Sequence, residues 1–126
     1  MNMLLSVALG GAIGACARYG AAQLFLRMMG PGYPYGTLFV NVFGSFLMGM
    51  LVETLALRWS PPAELRVLLV TGFLGAFTTF STFSLDVSLM VERGQSLTAA
   101  LYVLLSVVLS IGGLFAGLHL MRTLIG

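Results

Sequence analysis

Charged positions are so sparse along this chain that the gaps between them, rather than an amphipathic period, set its organisation. They fall at Arg18, Arg27, Glu53, Arg58, Glu64, Arg66, Asp86, Glu92, Arg93 and Arg122, leaving charge-free intervals at 1–17, 28–52, 67–85 and 94–121. A helix rising about 1.5 Å per residue needs about 20 apolar residues to cross a hydrocarbon layer about 30 Å thick. The intervals therefore predict four spanning helices, near 3–26, 37–57, 66–90 and 97–121. Gly30-Pro31-Gly32-Tyr33-Pro34, Ser60-Pro61-Pro62 and Glu92-Arg93-Gly94 mark the connections. None is long enough to fold separately, so 1–126 reads as a single integral membrane domain. The apolar runs are continuous rather than alternating, which disfavours a β-barrel.

Composition supports the same reading. The 126 residues are 59% hydrophobic and 8% charged, with no Lys, against about 25% charged in soluble domains. So few charges cannot solvate a surface exposed to water, and the fold class is an all-α membrane protein surrounded by the lipid bilayer. A net charge of +2 from so few groups makes no basic face, which removes nucleic acid as a partner. The lone Cys16 can form no internal disulfide and is expected to be a small buried packing residue. Ile13-Gly14-Ala15-Cys16-Ala17 resembles a signal cleavage site, but no basic residue lies within 1–17, so the segment is expected to stay as mature structure. There is no nucleotide loop and no catalytic dyad, and an enzyme is not expected.

With four spans, Arg58, Arg66 and Arg122 share one side of the membrane and Arg27 and Arg93 the other. Lys and Arg excess sets topology, so a balance this even predicts insertion both ways up. Two inverted copies can then close into an antiparallel homodimer about an axis in the membrane plane. Small residues at helix-packing spacing are Gly10 with Gly14, Gly11 with Ala15, Ser45 with Gly49, Gly112 with Ala116 and Gly113 with Gly117. They serve either dimer contact or packing inside one subunit.

Polar groups at membrane depth are costly unless paired or lining a cavity, and three stretches hold them. In Gly10–Tyr19, Arg18 lies well inside the first span, where it bonds backbone carbonyls, snorkels toward an interface, or contacts an anion. In Gly36–Phe46, Asn41 carries an amide with two donors, able to staple helices or to face a cavity. Gly72–Ser84 packs five hydroxyls and four phenyl rings into one run, GFLGAFTTFSTFS. Gly72 and Gly75 beside Thr78-Thr79 predict an interrupted third helix, whose free carbonyls could hold a cation.

Together, GGAIGACARY, GTLFVNVFGSF and GFLGAFTTFSTFS resemble the Fluc fluoride channel family, also called CrcB, over essentially the whole chain. The resemblance implies a multi-pass protein of the bacterial inner membrane that passively exports cytoplasmic fluoride and so lowers its toxicity. It also implies a dual-topology homodimer with two fluoride pathways and one structural sodium ion, not itself transported. Phe80 and Phe83 match the pathway aromatics, Asn41 the amide donor, and Ser81 and Thr82 the hydroxyl track between the rings. The carbonyls of Gly75 and Thr78 match the sodium ligands, and Tyr102 fits a fourth-span position by spacing. Ala76 stands where a further glycine is common, and Asp86 where the vestibule is expected to carry glutamate.

Ring edges are positive, so neutral rings, hydroxyls and amides can hold a partly dehydrated anion without trapping it as a fixed cation would. His119 and Cys16 are too isolated for a transition-metal site. The alternative is a small dual-topology proton-coupled multidrug exporter, which wants an exchangeable intramembrane carboxylate; Glu53 is the only candidate. A non-transporting membrane assembly protein is the third reading.

Overall fold

A computed structural model describes residues 2–126, and every regular element among them is helical. In chain order these are α1 (Met3–Met29), α2 (Tyr35–Leu57), α3 (Ala63–Val67), a π-helical stretch (Leu68–Leu74), α4 (Gly75–Phe77), α5 (Phe80–Glu92) and α6 (Ser96–Ile125). Ala63–Glu92 acts as one span, so four helical units are long and apolar enough to cross a membrane.

Local chemistry sets the ends. The Asn2 side chain accepts the Leu4 amide at 2.6 Å and the Leu5 amide at 3.4 Å, capping α1. Gly30 at φ 77° stops that helix with its own N–H on Leu26 O, and Gly94, also at φ 77°, stops α5. The Pro62 carbonyl accepts the Leu65 and Arg66 amides at 3.1 Å to start α3. Relative to the expected spans, α6 runs on to Ile125. No Gly or Pro lies between the expected end at Met121 and Gly126, and Arg122 is accommodated by an ion pair with Glu53 rather than ending the helix.

Packing depends on backbone contact, because lipid-facing side chains gain little by leaving an equally apolar solvent. α1 lies on the third span through Gly10 and Gly14, where a Cβ would collide with Leu68 O and Phe73 O. α2 lies on α6 through Gly49 and Gly117, where it would collide with Leu114 O and Phe46 O. These glycines are used inside one subunit. Gly11 and Gly112 instead face open space.

Cys16 departs from expectation, being exposed rather than buried. The buried stripe of α1 is Ser6, Gly10 and Gly14, and Cys16 lies about 200° around the helix from Gly14. A core of Phe83, Met90, Ala99 and Tyr102 fills the join between α5 and α6, with Tyr33 from the first connection packed on it.

Candidate functional site

The third span loses helical geometry at Thr78 (φ −86°, ψ 157°) and Thr79 (φ −149°, ψ 123°), both extended. A continuous helix would send the Thr79 amide to Gly75 O. Here it donates to Asn41 Oδ1 at 2.7 Å, while Asn41 Nδ2 donates to Thr79 O at 3.0 Å. The Thr82 amide, which would close on Thr78 O, turns to Thr79 Oγ1 at 3.2 Å and caps α5. Arg18 Nε donates to Ala76 O at 3.0 Å. Side chains of α1 and α2 thus replace the missing helical partners, as backbone at membrane depth requires. The carbonyls from Gly75 to Thr78 all lose their helical donors; those of Gly75 and Thr78 lose theirs to Asn41 and Thr79 side chains. Gly44 lets α2 approach this point, since a Cβ there would meet the Thr78 methyl and, at 3.1 Å, the Phe77 ring.

Beside the interruption lies a cavity of about 270 Å³. Asn41 and Ser45 of α2, Thr78 and Thr79, Phe80 and Phe83 of α5, and Ser106 and Ser110 of α6 line it. The Ser106 and Ser110 hydroxyls are buried without a hydrogen-bond partner. Neither serine was singled out from sequence. Their signal was the spacing Tyr102, Ser106, Ser110, which repeats every four residues and so stays on one helix face, as Thr37, Asn41 and Ser45 do on α2. One Asn41 N–H is spent on Thr79 O, leaving the other available.

The Phe80 and Phe83 rings sit 5.5 Å apart at 54°. Phe83 is buried, whereas Phe80 is 77% exposed and projects out of the subunit. Ser81 and Thr82 do not line the single-subunit cavity. Ser81 is exposed, with its Oγ 3.4 Å from Thr79 Oγ1.

A second cavity, of about 290 Å³, opens at the end of the bundle among the α1–α2 connection, Thr37, Asp86 and Arg93. Tyr102, fully buried, packs between residues that line the two. Its hydroxyl donates to Asp86 Oδ2 at 3.0 Å, and its ring lies 5.2 Å from Phe83 and, edge-on, 5.6 Å from Tyr33. Burial, and next the neighbouring Tyr35, push the Tyr33 phenol above its ordinary pKa, so it stays neutral at pH 7.

Glu53, the one carboxylate a proton-coupled exporter could use, pairs with Arg122 at 3.0 Å at the far end of α2. Among the described residues no three His, Cys, Asp or Glu side chains cluster to hold a metal. The arrangement as a whole offers neutral donors and ring edges to an anion, and carbonyls to a hard cation.

Residues 5–118 match the family model described as CrcB-like protein, Camphor Resistance (CrcB). A fluoride-specific ion channel FluC of Rhodospirillum centenum is 54% identical over 123 residues, covering 98% of each chain. Proteins of the same name from Rhizobium etli and Nitrobacter winogradskyi are 50% identical over 125 residues and 49% over 123, covering 99% and 98% of this chain and 100% and 98% of their own. By the family match and by these full-length similarities, the chain belongs to the CrcB-like family.

Proposed function

We propose that the protein is a fluoride-selective channel of the bacterial cell membrane, through which cytoplasmic fluoride leaves passively. The observation that carries this reading is the pair of buried, unpartnered hydroxyls, Ser106 and Ser110, facing a cavity with the Asn41 amide and the Phe80 and Phe83 rings. A partnerless hydroxyl in an apolar bundle is costly, and a small hydrogen-bond-accepting anion relieves that cost. Fluoride accepts strongly, so Ser106, Ser110 and the free Asn41 N–H replace part of its water while the positive ring edges take the remainder. Because every donor is neutral, the ion is held weakly enough to leave. The membrane potential, worth about 2.3 kcal/mol per charge per 100 mV, drives an anion out of a cell that is negative inside.

The working unit in this reading is an antiparallel dual-topology homodimer, supported by the near balance of arginines on the two sides and by the outward projection of Phe80. In such a dimer Ser81 and Thr82 turn toward the partner and complete the hydroxyl track. The interrupted third span, placed against its inverted copy, would hold a structural sodium ion on the carbonyls of Gly75 and Thr78. Redirection of the Thr79 and Thr82 amides supports that fit, because hard cations take oxygen ligands. When bound, the ion supplies positive charge that fixes the two interruptions together. Arg18 and Asn41 keep the interruption open from within each subunit.

The test is efflux from proteoliposomes loaded with fluoride or chloride, read with ion-selective electrodes under a potassium–valinomycin shunt. Fast fluoride loss with chloride retained supports the reading, and equal or absent loss of both overturns it. Accessibility labelling in native membranes reports orientation, where a single insertion sense would remove the antiparallel dimer.

A further inference from the structure

We propose that Tyr33 is a positioning residue for fluoride admission: packed edge-on against Tyr102, it keeps the Tyr102 hydroxyl on Asp86 and so holds that carboxylate off the anion's route between the outer and inner cavities. The inference rests on the channel reading above. Asp86 is the one carboxylate lining the outer cavity, and Thr37 and Arg93 line it with neutral and positive groups. Asp86 bonds Tyr102, which packs through Phe83 onto the inner cavity, so on this reading an anion moving from the outer to the inner cavity passes the carboxylate.

Asp86 is tied off by the Tyr102 hydroxyl at 3.0 Å, and Tyr102 is fully buried, so its orientation follows from its packing. Met90 and Ala99 share its core, Leu38, Val87 and Val103 pack on it, and two rings bracket it. Phe83 lies 5.2 Å away on the inner side, and Tyr33 meets Tyr102 at 5.6 Å and 82° on the outer side. Tyr33 is itself fixed by the Tyr35 ring at 4.9 Å and by the turn between Pro31 and Pro34, in which its carbonyl accepts the Tyr35 amide at 2.8 Å. The connection between the first two helices therefore reaches the ion path through a single edge-to-face contact. Remove that ring and Tyr102 gains room to leave Asp86, whose freed carboxylate then turns further into the cavity it already lines and repels the incoming ion more strongly.

The experiment measures initial fluoride efflux against fluoride concentration for dimers of verified monodispersity. Tyr33→Phe keeps the ring and should match wild type. Tyr33→Ala, with Tyr33→Leu as the bulkier substitute should alanine destabilise the fold, should raise the half-saturating fluoride concentration about tenfold or more. That is the added repulsion when the carboxylate swings from about 12 Å to about 6 Å from the ion at an effective dielectric of about 20. The maximal rate should stay within about twofold. Adding Asp86→Asn to either variant should bring its half-saturation back to that of Asp86→Asn alone. Wild-type behaviour in Tyr33→Ala and Tyr33→Leu, or an equal loss in the Asp86→Asn background, overturns the role of Tyr33 while leaving the channel standing. Wild-type protein without fluoride flux would overturn the channel itself and this inference with it.

Discussion

Asn41→Asp changes one atom at the centre of the candidate pathway. The substitution keeps the oxygen that accepts the Thr79 amide at 2.7 Å, removes the donor to Thr79 O at 3.0 Å, and adds a negative charge to the cavity wall. Treated as a sphere, a cavity of about 270 Å³ has a radius of about 4 Å, so an anion at its centre lies about 4 Å from that charge. At an effective dielectric of about 20 the repulsion is about 4 kcal/mol, or about a thousandfold in rate. Losing one interhelical hydrogen bond costs only about 0.6 to 1.7 kcal/mol in lipid, so the fold should survive. Asn41→Ala is the control, since it loses both bonds to Thr79 but carries no charge. Initial fluoride efflux from proteoliposomes at neutral pH should fall 10²- to 10³-fold in Asn41→Asp, on this Coulomb estimate of roughly 4 kcal/mol. It should also lie at least about tenfold below Asn41→Ala. If Asn41→Asp conducts as well as Asn41→Ala, the charge is not near the ion and the cavity is not the path.

Other substitutions separate packing from permeation. Phe80→Ile and Phe83→Ile remove positive ring edges while keeping apolar bulk, so each should cut fluoride efflux by orders of magnitude with the elution volume on size-exclusion chromatography unchanged; retained flux in both would remove the rings from the pathway. Ser106→Ala and Ser110→Ala delete hydroxyls that bond no other group of the protein. Stability to thermal unfolding should hold or rise by up to about 1–3 kcal/mol, whereas fluoride efflux should drop about tenfold or more, the worth of a hydrogen bond to a charged group. Gly49→Val forces α2 off the Leu114 carbonyl of α6, and detergent-solubilised protein should lose its folded state rather than its selectivity. Glu53→Gln weakens the pair with Arg122, 63% exposed at its side chain, so stability should change little; fluoride flux should persist and ignore a pH gradient.

The four spans were legible because ten charges punctuate continuous apolar runs, and connections with Gly and Pro fall where the runs end. The interruption at Thr78 and Thr79 was suggested by nearby glycines, but its stabilisation was not. Asn41 and Thr79 lie 38 positions apart, and their reciprocal bonds exist only because Thr79 is extended. Ser106 and Ser110 were readable as a four-residue repeat below Tyr102, yet serines in spanning helices commonly bond their own backbone, and only the packed bundle shows that these two do not. Cys16 misled in the opposite direction. Burial in a membrane protein follows the helix-packing stripe rather than apolarity, and in α1 that stripe is made of Ser6, Gly10 and Gly14. Tyr33 lies in a connection, and its contact with Tyr102 joins residues that no periodicity relates.

The most direct measurement is the reversal potential of current through the purified protein in a planar bilayer, with a tenfold fluoride gradient and equal chloride on both sides. A pathway of neutral donors selective for fluoride predicts reversal at the fluoride equilibrium potential, about 59 mV for a tenfold ratio of a monovalent ion. Reversal near zero, or a value that follows chloride when its gradient is changed, would contradict it.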